Sequence, residues 1–135
     1  MTDRRKPEPA GAVGPTPLGR HVHLDLYDCA DVVLAPPAVH ERLLLAAARA
    51  MGATVVGRHF HAFSPHGVSG VVMIAESHLT VHTWPEHRFA AVDVFSCGGL
   101  DLAAGVATLV AEYGARHYHT QTYARGSGVL PPHDR

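Results

Sequence analysis

Between residues 54 and 97 the chain repeats one local pattern four times, and this repetition limits the possible folds more than any other feature. "TVVGRHFHAF" (54–63), "GVSGVVMIA" (67–75), "HLTVHTW" (78–84) and "RFAAVDVFSC" (88–97) are rich in β-branched and aromatic residues, the composition that suits a pleated surface. The first two runs are separated by "SPHG", with Pro65 and Gly67, and the last two by "PEH", with Pro85. Both connections are turn signals, so the four runs read as adjacent antiparallel strands.

The flanking segments complete the architecture. "HVHLDLYDC" (21–29) alternates Val22, Leu24 and Leu26 against His21, His23, Asp25 and Tyr27, the period of a half-buried strand whose polar face is expected to end at Cys29. Over 38–51, Val39, Leu43, Ala46, Ala47 and Ala50 recur at helical spacing, and Gly52 stands where a left-handed cap is needed. Asp101 is placed to cap a second helix with Leu102, Val106, Leu109, Val110 and Tyr113 on one face and Gly114 at its end. "RHYHTQTYA" (116–124) returns as a strand. The order β-α-β-β-β-β-α-β predicts an α+β two-layer sandwich, a mainly antiparallel sheet covered on one face by two helices. The other face is expected to be exposed apolar surface, which a second copy of the chain would cover, so a homodimer is predicted.

Bulk properties narrow the function classes. At 135 residues the chain suits a single domain, set at 18–125, between a flexible tail at 1–17 that carries four prolines and a loose end at 126–135. Apolar residues make up 47%, charged residues 17%, and the net charge is -1, which gives no basic footprint for nucleic acid. No apolar run approaches the roughly 18 residues of a membrane span, and the N-terminus lacks a signal-peptide core. A cytoplasmic location with Cys29 and Cys97 as free thiols is the expectation.

Twelve histidines invite a metal reading. His59-x-His61 on a strand would point both rings to one side, with His66, His78, His82 and His87 nearby in sequence. No zinc-binding spacing accompanies them, and no metal is assigned. A non-catalytic metal-binding module using His59, His61 and His82 stays as the alternative of a different class. His21, His23, His117 and His119 are expected on solvent faces. Ser77 beside His78 lacks the Gly-x-Ser-x-Gly elbow of a hydrolase. "GVSG" (67–70) reads as a strand bulge. What remains is Glu76-Ser77 ending an apolar strand, with Ser69, His82 and Cys97 on neighbouring strands.

Those residues carry a resemblance. "FSPHGVSGVVMIAESHLTVHTWPEHRFAAVDVFSCG", supported by "GRHVHLDLYDC" and "GATVV", resembles the core of the prokaryotic S-adenosylmethionine decarboxylase proenzymes over roughly residues 19–113. These are self-cleaving, pyruvoyl-dependent enzymes of spermidine synthesis. The resemblance implies cleavage between Glu76 and Ser77 into a β chain (1–76) and an α chain (77–135), by attack of Ser77 Oγ on the Glu76 carbonyl and β-elimination of the resulting ester. Ser77 would become the pyruvoyl group that forms a Schiff base with the substrate. Ser69 occupies the position of the oxyanion-stabilising processing serine, and His82 that of the processing base, a role suited to histidine near neutral pH. Strict alternation would put Ser77 and His82 on opposite faces, so the backbone must leave strand geometry between them or at Ser77.

Cys97 matches the family's proton donor, with a small buried hydrophobe as the bland reading. Phe63 and Trp84 are candidates for stacking on adenine and facing the sulfonium, and Glu86 for accepting from ribose hydroxyls; the same aromatics could instead be core. Arg88 departs from the family pattern. Pointing inward about 6 Å from a sulfonium it would cost about 3 kcal/mol, so it is expected in solvent at the hairpin tip. A pyruvoyl-dependent ornithine or arginine decarboxylase on the same scaffold is the enzymatic alternative.

Overall fold

The computed structural model describes residues 17–129. Its elements are β1 (Gly19–Tyr27), α1 (Pro37–Met51), β2 (Thr54–Ala62), β3 (Val68–Ala75), β4 (Ser77–Trp84), β5 (Phe89–Ser96), α2 (Leu102–Tyr113) and β6 (His117–Arg125). Short 3-10 turns at Asp31–Leu34 and Pro85–His87 fill two connections. The strands form one antiparallel sheet in the order β2-β3-β4-β5-β1-β6, and the α+β sandwich is as the pattern dictates. The tails expected at 1–17 and 126–135 fall largely on residues 1–16 and 130–135, outside the described residues.

The core lies between the helices and one sheet face. Register sets Val22, Leu24 and Leu26 of β1 opposite Val94, Val92 and Ala90 of β5, and Leu79, Val81, Val72 and Ile74 extend the buried surface through β4 and β3. Leu44, Ala47 and Ala48 of α1 and Leu109 and Tyr113 of α2 close it from above. Both helices stop on left-handed glycines, Gly52 (φ 83°) and Gly114 (φ 58°), and the Asp101 carboxylate accepts from Ala104 N at 3.0 Å.

Five expectations are corrected. Strand β1 ends at Tyr27 because Asp28 turns left-handed (φ 55°), which carries Cys29 off the polar face into the core, where burial pushes its thiol pKa up to about 11. The buried stripe of α1 is His40, Leu43, Leu44, Ala47, Ala48 and Met51, with Ala50 exposed. The stripe is rotated because His40 is buried, its Nε2 donating to Ala35 O at 3.0 Å and its Nδ1 therefore accepting from Tyr113 Oη at 2.7 Å. Hydrophobicity alone assigns such a histidine to the wrong side.

The "GVSG" segment holds no bulge. The irregularity lies between Val55 and Gly57, whereas Gly70 makes room for the Phe60 ring, which a Cβ at Gly70 would strike at 2.0 Å. Finally, the open sheet face is not apolar. Register places His59, His61, His78 and His82 on it from β2 and β4, and His21, His23, His117 and His119 from β1 and β6, with Phe95 and Tyr123 among them. His21 is also not a solvated residue: its Nε2 is buried without a hydrogen-bond partner. Burial foremost, and then the adjacent His23, lower its pKa against the opposing pull of Asp93.

Candidate active site

Strand β3 ends at Ala75 and β4 begins at Ser77, so the exposed Glu76 alone joins them. Ser77 pairs with Ile74 and Ser96 yet has φ 134°, a region nearly closed to residues with a Cβ, at a cost of order 1–3 kcal/mol. The chain thus leaves strand geometry at Ser77 itself, which answers the parity problem. The Ser77 hydroxyl lies 3.1 Å from Cys97 Sγ. Cys97 is exposed and follows β5 directly, and the buried Ser96 accepts from Gly98 N at 3.3 Å to shape the turn that presents the thiol. Exposure rules out the bland reading of Cys97 as a buried hydrophobe. Ser96 carries no motif of its own and was not foreseen.

A second pair forms farther along the same strand. Ser69 and His82 face each other across β3 and β4, with Oγ to Nδ1 at 2.7 Å. They share a cavity of about 390 Å³ with Phe63, His66, Trp84 and Glu86. Phe63 is 52% exposed and Trp84 42% exposed, so neither belongs to the core. Glu86 Oε1 sits 3.1 Å from His66 Nε2, a partnership the sequence analysis missed. Its only signal was that the "SPHG" and "PEH" turns must lie at the same end of the sheet. Gly67, with φ 106°, makes the first turn, and Thr83 Oγ1 accepts from Val68 N at 2.9 Å to bind the two turns together.

The structure therefore brings the expected residues together in two groups, not one. Ser77 pairs with Ser96 and His82 with Ala91 on the same neighbour. They lie five positions apart along the strand, roughly 16 Å at about 3.3 Å per residue. Arg88 does not line the cavity and stays half-exposed, as expected, but it is not free. Its guanidinium donates to Cys29 O at 3.1 Å and Asp31 Oδ1 at 2.8 Å, because a left-handed turn at Arg88 (φ 50°) swings it back toward the 3-10 turn at Asp31. His82 Nδ1 is taken by Ser69, and His59, His61 and His82 form no metal-type group. Among the described residues the one such group of three is His21, His23 and Asp93.

Residues 20–126 match the S-adenosylmethionine decarboxylase family. The chain belongs to that family. The S-adenosylmethionine decarboxylase proenzyme of Pseudomonas aeruginosa (strain LESB58) is 46% identical over 114 residues, covering 84% of this chain and 71% of that one. The proenzyme of Thermosipho melanesiensis is 53% identical over 81 residues, 60% of this chain and 62% of the other. The crystal structure of the adenosylmethionine decarboxylase from Aquifex aeolicus superposes with a TM-score of 0.77 at 31% identity, covering 87% of this chain and 96% of that one. As an S-adenosylmethionine decarboxylase, the protein is a self-cleaving carboxy-lyase. Its pyruvoyl group is made from its own backbone, and its product is the decarboxylated S-adenosylmethionine used for spermidine. The choice of S-adenosylmethionine over ornithine or arginine is settled by this membership.

Proposed function

We propose that the chain is cut between Glu76 and Ser77, that Ser77 becomes the pyruvoyl group, and that each working site is assembled from two copies of the chain. The observation that carries this reading is the strained, half-buried Ser77 at a one-residue hairpin, 3.1 Å from an exposed free thiol. Ser77 Oγ attacks the Glu76 carbonyl, the peptide nitrogen leaves as an amine, and an ester replaces the amide. Loss of the Ser77 Cα proton then expels the Glu76 carboxylate, and water replaces the nitrogen as ammonia departs, leaving a keto group. The strain at Ser77 is relieved in the reaction, which favours the forward step.

One tautomer of the Ser69–His82 pair serves both of its roles. If Nδ1–H donates to Ser69 Oγ, the Nε2 lone pair is free to remove the Cα proton and the Ser69 O–H is free to donate to the oxyanion. The pair stands roughly 16 Å along β4 from the Ser77 of its own chain, far beyond proton-transfer distance. Two sheets packed by their open faces about a two-fold axis, with the β4 strands antiparallel, would set the pair of one copy over the Ser77 of the other, twice. The aromatic and histidine surface of that face is the interface in this arrangement.

The mature keto group supplies the electron sink for loss of carbon dioxide from the substrate α-amino acid. Cys97, beside it, delivers the proton that the substrate carbon takes up. Phe63 and Trp84 offer π faces to adenine and sulfonium, and Glu86 accepts from the ribose hydroxyls. With Arg88 engaged by Asp31, no free cation of that turn faces the sulfonium. A cytoplasmic setting accords with the exposed thiol of Cys97, which must stay reduced to donate. Intact-mass analysis of untagged purified protein, joined to carbon dioxide release from S-adenosylmethionine, tests the reading. Two fragments split before Ser77, the C-terminal one with a blocked N-terminus, are expected. An active chain that stays whole would overturn it.

A further inference from the structure

Three side chains on the open sheet face have no part in the chemistry above. His21 and His23, two apart on β1, project to the same side, and Asp93 on β5 stands opposite His23. A single oxygen, Asp93 Oδ1, lies 3.7 Å from His21 Nε2 and 3.8 Å from His23 Nε2. Both separations exceed the roughly 2.7–3.2 Å of a hydrogen bond. His21 Nε2 is nevertheless shut off from solvent with no partner, a condition that native folds rarely leave unexplained. The ligand atoms of all three residues lie within 4.8 Å of one another. Two donors on a tetrahedral zinc ion, at roughly 2.0–2.1 Å each, stand about 3.4 Å apart. The observed separations from Asp93 need to close by only a few tenths of an ångström.

The surroundings support a ligand set. The other Asp93 oxygen, Oδ2, accepts from the Thr80 hydroxyl at 3.1 Å, which orients the carboxylate with Oδ1 toward the histidines, the usual outer support of a metal-bound carboxylate. Phe95 flanks the His21 ring at 5.4 Å and Tyr123 the His23 ring at 5.0 Å. A hollow of about 380 Å³ opens over the histidines and Tyr123, with room for water to complete the coordination. Arg125 lines the same hollow and opposes a cation.

We propose that His21, His23 and Asp93 bind one divalent transition-metal ion, zinc being the best match, which staples β1 to β5. Two imidazoles and one carboxylate select zinc over magnesium or calcium, whose sites are built from oxygen alone. The site does not rest on the decarboxylase reading. The uncleaved Ser77→Ala chain is expected to bind zinc equally, so failure of zinc binding and failure of cleavage are read separately.

The test is a zinc titration of untagged, chelator-stripped protein against a chromophoric competitor, with cobalt absorption as a second readout of geometry. Expected are one zinc per chain at micromolar or tighter affinity, tetrahedral cobalt bands in the visible, and a higher melting temperature with zinc. His23→Ala and Asp93→Asn should abolish stoichiometric binding, and Thr80→Val should weaken it roughly tenfold. His59→Ala should change nothing, and Arg125→Gln should tighten binding. If His23→Ala does not fold, the near-isosteric Asp93→Asn and Thr80→Val variants carry the test. No stoichiometric zinc on the wild-type chain, or undiminished binding by Asp93→Asn, would overturn the proposal.

Discussion

Co-expression of two inactive variants decides whether the site is shared between copies. Ser77→Ala has no nucleophile and His82→Ala no base, so each alone should stay whole. The structure puts His82 five residues along β4 from Ser77, roughly 16 Å against the approximately 3 Å over which a base must reach its proton. Within one chain the two defects could never complement. Across a two-fold interface, the Ser77 of a His82→Ala chain faces the intact His82 of a Ser77→Ala partner. Random pairing at equal expression makes about half the dimers mixed, and one chain of each mixed pair is competent, so about one quarter of all chains should be cut. Denaturing gels and intact mass give that fraction with no activity assay. Absence of cleavage in the co-expressed pair would refute the shared site, and cleavage of His82→Ala alone would remove His82 from processing.

Further expectations concern single residues. Cys97→Ala should cut kcat roughly a hundredfold or more with little change in KM, because a lost proton donor acts on the chemical step; steady-state kinetics on the cleaved variant checks the split. His66→Ala should raise KM at most about fivefold, the limit for a half-exposed polar contact worth no more than about 1 kcal/mol, and Glu86→Ala should raise it further. Burial lowers the pKa of His40. The unfolded chain therefore takes up a proton near pH 6.5 that the folded chain refuses, and stability is full above that pH and falls below it, by at most about 1.4 kcal/mol per pH unit, until the folded pKa is reached. Melting curves from pH 7.5 to 5 should show a shallower loss in His40→Phe than in wild type. Gly70→Ala should destabilise by about 1–3 kcal/mol through the Phe60 ring, measurable by urea denaturation.

The strands and helices were legible because each obeys one period, and each helix end carries a glycine or an aspartate whose chemistry is local. The motif likewise singled out Ser77, His82 and Cys97 as candidates, and two of the three, Ser77 and Cys97, lie within 3.1 Å of each other. What stayed hidden depends on register. Nothing in "AESHLTVH" says that His82 turns to Ser69 while Ser77 turns to Cys97. That outcome follows from a left-handed Ser77 and from which residues of β3 and β5 lie opposite. His40 was left out of the buried stripe for a similar reason: its burial depends on Tyr113, 73 positions away. Arg88 escaped because its partner Asp31 comes from another loop.

The strand order β2-β3-β4-β5-β1-β6 acquires a new meaning under the proposed cut before Ser77. β1, β2 and β3 then belong to the N-terminal fragment and β4, β5 and β6 to the C-terminal one, and the two interleave, since β1 lies between β5 and β6. The fragments meet along three ladders, β3 with β4, β5 with β1 and β1 with β6, and again where α1 packs on α2. Losing the bond therefore removes none of the surfaces that hold the sheet together. It changes the reaction order of unfolding instead: a single-chain transition becomes a dissociation, and the stability of the mature enzyme becomes dependent on its own concentration. The proenzyme folds with the fragments tethered, and the cut enzyme inherits a shape that its separated pieces would have to find by encounter.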